Sequence, residues 1–263
     1  MQNIFPIFKE KIIINLLFAI LIFSYIAGNL AINLNIILIL IFGLVFYKND
    51  IFKIEYDFLD KLIIFAFLYI LCSGIYNNYY LKINNISSDN TILIKSILYL
   101  RFLLLYFLII FLIKKDKLNF KVFFAASAIA TIFVSLDILY QFNYGYDIFG
   151  YEGVPRRLSG PFGDEWIAGS FIFKFGIFSF FLYPLFLKID NKVVLYSSFL
   201  ILFFLFFFSL LLAGNRTPFF LFLIVISCIL LFEKNLRKFF ILFISISLIL
   251  ISLTYNFHQQ TKD

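Results

Sequence analysis

Long apolar runs recur along the whole chain and are separated by short segments rich in lysine, asparagine and glycine. Many of them reach the roughly 17–25 residues that a helix needs to cross a hydrocarbon core about 30 Å thick. The runs are continuous and do not alternate with a period of two, so they predict helices, which pair all their backbone groups internally, and not barrel strands. Nine transmembrane helices are predicted: Ile12–Ala27, Leu30–Tyr47, Leu62–Tyr76, Ile92–Ile113, Val122–Tyr140, Ile167–Leu187, Val193–Ala213, Pro218–Phe232 and Phe239–Phe257.

Three of these runs are short for full spans: the first two and Leu62–Tyr76. Because only Gly28 and Asn29 separate the first two runs, a re-entrant hairpin is an alternative to two spans. The polar segments Asn77–Asn90 and Gln141–Trp166 are longer and have the composition of irregular backbone. With no soluble domain or recognisable repeat, residues 1–263 are predicted to form one helical domain of an all-α, polytopic membrane protein.

The composition agrees with this class. Hydrophobic residues make up 63% of the chain and charged residues 14%, and the mean hydropathy is +1.01. That leaves too little polar surface to cover a water-soluble globule of 263 residues.

The lysines predict the orientation. With a cytoplasmic N-terminus, most cations fall in the inner loops, whereas the outer loops hold only Lys82, Arg156, Arg157, Arg216 and Lys262. Cytoplasmic loops carry an excess of Lys and Arg, so the N-terminus is predicted to be cytoplasmic and residues 150–171 to face outward, toward the periplasm in a bacterial inner membrane. Since topology explains most of the net charge of +7, no nucleic-acid partner is predicted.

A polar island, residues 150–171, interrupts the apolar chain with charges and glycines. Arg156 and Arg157 precede the turn sequence LSGPFG, in which Ser159 adds a hydroxyl. Guanidinium groups are permanently charged bidentate donors, which suits a phosphate or pyrophosphate. The alternative is that these arginines bind lipid headgroups or pair with nearby carboxylates such as Glu152.

Another arginine, Arg216, lies in the outer hairpin 213–217, within the sequence LLAGNRTPFF. So short a connection between two spans holds Arg216 at the membrane surface, and Pro218 fits the first turn of the following helix. The single tryptophan, Trp166, is predicted to be an interfacial anchor, with stacking on a sugar as the alternative.

Three further ionisable residues lie inside predicted spans: Arg101, Asp137 and Lys174. A charge near the bilayer midplane costs about 2.5–3.5 kcal/mol on the insertion scale, so each is expected to face the bundle interior or a wet cavity. Asp137 is the only acidic residue within a predicted span and is expected to pair with Arg101 or Lys174. All three are candidates for substrate binding, and a purely structural ion pair is the alternative.

The sequences RRLSGPFGDEWIAGSF and LAGNRTPFF resemble the conserved region of the O-antigen ligase and O-antigen polymerase superfamily, polytopic glycosyltransferases of the bacterial inner membrane. The resemblance covers roughly residues 137–220. It implies transfer of a glycan from an undecaprenyl-pyrophosphate carrier to lipid A-core or to a growing polysaccharide. Neither a metal nor another cofactor is expected, and membrane lipids surround the protein.

The resemblance also implies roles for individual residues. Arg157, or its neighbour Arg156, and Arg216 would stabilise the charge that develops on the pyrophosphate, with Ser159 and Glu152 among the substrate-binding candidates. The family's base is a histidine in a large periplasmic loop, and His258 is the single histidine here. The family's loop and the helices after it have no counterpart, so the chain is expected to be the N-terminal part of such an enzyme or a shortened relative. A flippase or transporter of a lipid-linked or anionic solute, and a non-catalytic membrane subunit, are the alternatives.

Overall fold

In a computed structural model of the chain, the residues described are 4–84, 89–154, 157–186, 192–232 and 245. Within them the fold is all-α, as predicted, with short 3-10 turns at Lys48–Phe52 and Gly160–Phe162 and no β-strand longer than an isolated bridge. The helices are α1 (Ile4–Ala27), α2 (Asn29–Tyr47), α3 (Phe58–Ile83), α4 (Thr91–Lys114), α5 (Phe120–Tyr144), α6 (Ala168–Phe186), α7 (Lys192–Leu212) and α8 (Arg216–Phe232).

Five helical stretches in this part of the chain are long and apolar enough to cross a membrane. Large apolar side chains lie exposed along them: Leu30 and Phe58 are each 77% exposed, as lipid-facing positions require. Three shorter apolar helical stretches, Ala168–Leu182, Ser197–Leu212 and Arg216–Cys228, follow them. The five stretches are Glu10–Ala27, Asn29–Phe52, Phe58–Ile83, Thr91–Lys114 and Phe120–Tyr144.

The predicted lengths of the early spans need correction. Helices α1 and α2 contain 24 and 19 residues, which favours two separate spans over a re-entrant hairpin. Helix α3 contains 26 residues, so residues 77–83, predicted as loop, are helical. The buried Asn78 belongs to this last part of α3 and donates to Asn90 Oδ1 at 3.3 Å. Hydropathy marks where a helix becomes polar, not where it ends. The predicted span Phe239–Phe257 lies, apart from Ser245, outside the described residues.

The described residues divide into two compact units, one within residues 4–25 and 29–120 and the other within residues 26–28, 121–232 and 245. In the first unit, α3 and α4 form the main pair and α2 packs on α4. Small residues allow these contacts: Gly43 lies against Leu108, and Gly74 lies against Ser96. The organisation into one membrane domain stays a prediction.

The second unit combines a small-residue helix with phenylalanine-rich helices. On α5, Ala130, Thr131 and Ser135 are fully buried. Ser135 O accepts a hydrogen bond of 3.1 Å from Ser209 Oγ of α7, and Gly176 of α6 lies against Thr131. Such small residues let helices approach closely in lipid, where apolar burial provides no driving force between helices. The largest fully buried side chains of this unit are Phe180, Phe203, Phe206, Phe207 and Phe222.

Candidate anion-binding site

A cleft of about 850 Å³, the arginine cleft, lies within the second unit. Three parts of the chain form it: the loop between α5 and α6, the beginning of α6, and the turn between α7 and α8. The two arginines that the sequence marked separately, Arg157 and Arg216, both line it. The described residues that line it are Arg157, Trp166, Ser170, Gly214, Asn215, Arg216, Thr217 and Pro218.

Arg157 is positioned by the indole ring of Trp166. Its Cζ atom lies 5.0 Å from the ring centroid, a cation–π distance. A guanidinium that stacks through its face keeps the N–H groups in its plane available for an anion. Trp166 is 45% exposed and lines the cleft, where its ring contacts this cation; the interfacial anchor and the sugar platform stay predictions.

Arg216 is the first residue of α8 and is exposed. The preceding residue, Asn215, accepts the first helical hydrogen bond through its backbone oxygen, from Phe219 N at 3.3 Å. Its side-chain Nδ2 donates to Trp166 O at 2.9 Å. This hydrogen bond therefore links the turn that carries Arg216 to Trp166, the residue on which Arg157 stacks. The N-terminus of α8 also adds the positive end of its dipole to the cleft.

Gly169 and Gly214 allow this close fit. A Cβ atom on Gly169 would come within 3.0 Å of Asn215 Cβ and 3.1 Å of its Nδ2. Gly214 has a φ of +69°, in the left-handed region that side chains with a Cβ avoid. Both glycines thus hold the α7–α8 turn against the beginning of α6.

Two side chains on one face of α5 hold the loop that carries Arg157. Asp137 Oδ1 accepts from Ile148 N at 2.9 Å. One turn later, Gln141 donates from Nε2 to Tyr151 O at 3.2 Å and accepts at Oε1 from Gly160 N at 2.9 Å. Gln141 was not predicted from the sequence, although its spacing of four residues from Asp137 at the end of an apolar span is a usable signal.

The expected pairing of Asp137 with Lys174 is absent. Asp137 is fully buried beneath the loop and does not line the arginine cleft, whereas Lys174 is exposed on α6. The second oxygen, Oδ2, has no hydrogen-bond partner among the described residues, and the same holds for Oδ2 of the buried Asp147. Hydrogen bonds from loop amides stabilise these carboxyl groups in place of an ion pair.

The other predicted site residues occupy varied places. Ser159 is buried, and Glu152 is exposed and forms an antiparallel bridge with Tyr146; neither lines the cleft. Arg101 belongs to the first unit, where its Cζ lies 4.9 Å from the ring centroid of Phe102. Arg156 and His258 lie outside the described residues.

The described residues contain no cluster of three or more His, Cys, Asp or Glu side chains that could hold a metal ion. Comparisons with protein-family models, with curated proteins and with solved structures found no match.

Proposed function

We propose that this protein takes part in the transfer of a glycan from a polyprenyl pyrophosphate carrier at the periplasmic face of a bacterial inner membrane, a ligase-like or polymerase-like step of surface polysaccharide synthesis. In this proposal the chain crosses the membrane nine times from a cytoplasmic N-terminus. The arginine cleft then opens at the outer surface, where the lipid-linked donor is available.

The observation that carries the proposal is that Arg157 and Arg216 line one cleft although 58 residues of sequence separate them. Two guanidinium groups beside a helix N-terminus can bind a doubly charged group by several charge-assisted hydrogen bonds. Among the described residues no carboxylate lines the cleft, so both arginines can turn to a ligand.

The transfer breaks the bond between the sugar's anomeric carbon and the pyrophosphate oxygen and forms a new glycosidic bond to the acceptor hydroxyl. Negative charge grows on the departing pyrophosphate, and Arg157 and Arg216 stabilise it more strongly in the transition state than in the bound donor. The hydroxyl proton passes to a base, for which His258 is the candidate named from the sequence.

Replacement of Arg216 by alanine in the cell tests the proposal. We expect Arg216→Ala to reach the membrane but to abolish attachment or elongation of the surface glycan, seen as a changed glycan ladder on a gel. Lys82→Ala, which removes a cation that does not line the cleft, is the matched control and should leave the ladder unchanged.

The position of the accumulated donor separates transfer from transport. A transferase defect leaves the carrier-linked glycan on the outer leaflet, whereas a flippase defect leaves it on the inner leaflet. Normal glycan profiles in the Arg216→Ala strain would remove the catalytic role of the cleft, and an inner-leaflet accumulation would replace transfer by transport.

A further inference from the structure

A second cleft, of about 670 Å³, lies within the first unit. The segment between α2 and α3 forms one side, and the end of α4 with the segment that follows it forms the other. We call it the lysine pocket, because four of its eight lining residues are lysines. The lining is Asp50, Lys53, Ile54, Glu55, Phe111, Lys114, Lys115 and Lys117.

Two of the four lysines already have carboxylate partners. Lys53 Nζ lies 2.9 Å from Asp50 Oδ1. Lys114 Nζ lies 3.7 Å from carboxylate oxygens of both Asp57 and Asp60, and it also donates to Glu55 O at 2.5 Å. These contacts neutralise much of the charge of Lys53 and Lys114.

The other two lysines, Lys115 and Lys117, have no carboxylate within ion-pair distance among the described residues. Lys117 Nζ instead lies 3.9 Å from the ring centroid of Tyr47 and 5.5 Å from that of Phe111. Asp50 and Glu55 line the pocket as well, and Asp57 and Asp60 flank Lys114. Glu10 and Asp50 attract Lys117 only from beyond ion-pair distance, so the unpaired positive charge of the pocket lies on Lys115 and Lys117.

The segment that carries these two lysines is fixed to α1 by specific hydrogen bonds. Asn15 donates from Nδ2 to Lys117 O at 3.0 Å and accepts at Oδ1 from Asn119 N at 2.5 Å. Lys11 Nζ donates to Asp116 O at 3.0 Å. Asp116 itself has a φ of +50°, which this bonding maintains. A surface lysine that serves only to set topology needs no such anchoring, whereas a preorganised cation loses less freedom when an anion binds.

We propose that the lysine pocket binds a phosphate group, held between Lys115 and Lys117. The apolar walls formed by Ile54 and Phe111 suit the phosphate of an acidic membrane lipid headgroup. A soluble phosphate ester has the same binding chemistry without an acyl chain. The proposal does not depend on glycan transfer, because it uses only residues of the first unit.

Native mass spectrometry of the full chain in detergent provides the test. Dioleoylphosphatidylglycerol and glycerol 3-phosphate are the two anionic probes, and dioleoylphosphatidylcholine is the zwitterionic comparison. The test variant is Lys115→Ala/Lys117→Ala. The matched control is Lys82→Ala/Lys95→Ala, which removes the same charge from exposed positions at the other end of the α3–α4 hairpin.

We expect the Lys115→Ala/Lys117→Ala variant to bind phosphatidylglycerol roughly 30-fold more weakly. This is the loss of affinity expected when the attraction of two lysines to an anionic headgroup is removed. The control should change binding less than threefold. Glu55→Gln should strengthen binding about fivefold because it removes a repelling charge from the lining. A structural role for the lysines would not produce this gain.

Preference for phosphatidylglycerol over glycerol 3-phosphate identifies a lipid site, and the reverse preference identifies a soluble phosphate ester. Equal binding of phosphatidylglycerol and phosphatidylcholine would overturn the proposal. So would equal losses in the test and control variants, or weaker binding by Glu55→Gln. Monodisperse elution of each variant from a sizing column checks that it is folded.

Discussion

The arginine cleft and the lysine pocket present positive charge in different ways. In the cleft, Arg157 rests on the exposed ring of Trp166, and the described part of the chain contributes no carboxylate to the wall. In the pocket, two of four lysines are paired with acids and Lys117 lies against the buried Tyr47. Guanidinium groups make planar, bidentate contacts, while ammonium groups act as compact point charges. The cleft is therefore suited to a directed contact with a reacting group, and the pocket to simple retention of a headgroup.

The largest expected effect comes from exchanging the two kinds of cation. Arg157→Lys and Arg216→Lys should each lower glycan transfer about 100-fold, because an ammonium cannot replace a preorganised bidentate donor. Lys115→Arg/Lys117→Arg should change lipid binding less than threefold, since charge is retained. Transfer to a labelled acceptor in membrane vesicles measures the first, and native mass spectrometry measures the second. Retention of transfer in both Arg→Lys variants would remove the distinction between the two sites.

The next effect concerns the support of the cleft. Gln141→Leu removes the acceptor of the buried Gly160 N and one of the two donors to Tyr151 O, which keeps its hydrogen bond from Asp147 N. An unpaired buried N–H group costs about 1–3 kcal/mol. We expect a lower free energy of unfolding and a changed emission of Trp166. Asn143→Leu is the control, because this exposed amide on the same helix only donates to Leu139 O, at 2.8 Å.

Denaturant unfolding in detergent, followed by circular dichroism, compares Gln141→Leu with its control. If the two variants lose the same stability, the loop that carries Arg157 does not depend on α5.

Glycine packing should differ between the two units. Gly74→Ala would place a methyl group directly onto Ser96 Cβ and Oγ, whereas Gly176→Ala would meet Phe206 and Thr131 at 3.2 Å. Overpacking costs about 1–3 kcal/mol, so Gly74→Ala should lower the free energy of unfolding of the α3–α4 pair by about that amount. Gly176→Ala should have less than half that effect, and a larger loss for Gly176→Ala would reverse the expected order.

The smallest effect is a difference in pH dependence. Burial, together with repulsion from Lys115, lowers the pKa of Lys117 below 10.5, and the carboxylates of Glu10 and Asp50 only partly oppose this. Lipid binding should therefore weaken as pH rises through this lowered pKa. Between that pKa and 10.5 the unfolded chain holds more protons, so the free energy of unfolding rises with pH in that window.

Arginine stays charged throughout this range, and a pyrophosphate esterified at both ends, as in a lipid-linked glycan, does not titrate there, so binding of such a diester in the cleft should not change between about pH 7 and 10. Binding titrations of both ligands across this range provide the measurement. If ligand binding at the two sites had the same pH dependence, this would contradict the claim that arginines bind the ligand in the cleft and lysines bind it in the pocket.

Much of the helical framework was predictable because apolar runs and helices nearly coincide: Ile92–Ile113 became α4, and Pro218–Phe232 became α8. Charge patterning and glycine-rich turns also drew attention to Arg157 and Arg216, and the two residues line one cleft; their catalytic role stays a prediction. The predicted end of α3 was wrong. Asn78 lies beyond that predicted end and donates a hydrogen bond to Asn90, a contact that hydropathy does not reveal.

Contacts between side chains that are distant in the sequence could not be predicted from it. The stacking of Arg157 on Trp166 and the bond from Asn215 to Trp166 depend on how α6 and the α7–α8 turn pack. An ion pair was predicted for Asp137 because of its charge. In the structure, its buried carboxyl group instead accepts a hydrogen bond from a loop amide. From the sequence, the lysines of the pocket indicated only the orientation in the membrane. The hydrogen bonds of Asn15 that fix their segment join positions about 100 residues apart, which the sequence pattern does not reveal.

The most direct test of the central claim uses Trp166, the single tryptophan of the chain, which lies in the arginine cleft. The purified protein is titrated with inorganic pyrophosphate and with a short polyprenyl pyrophosphate while Trp166 emission is recorded. We predict a saturable change in the wild-type protein that is lost in Arg157→Ala and Arg216→Ala but kept in Lys82→Ala. An emission change that persists unaltered in both arginine variants, or the absence of any saturable change in the wild type, would contradict the claim that these two arginines bind a pyrophosphate.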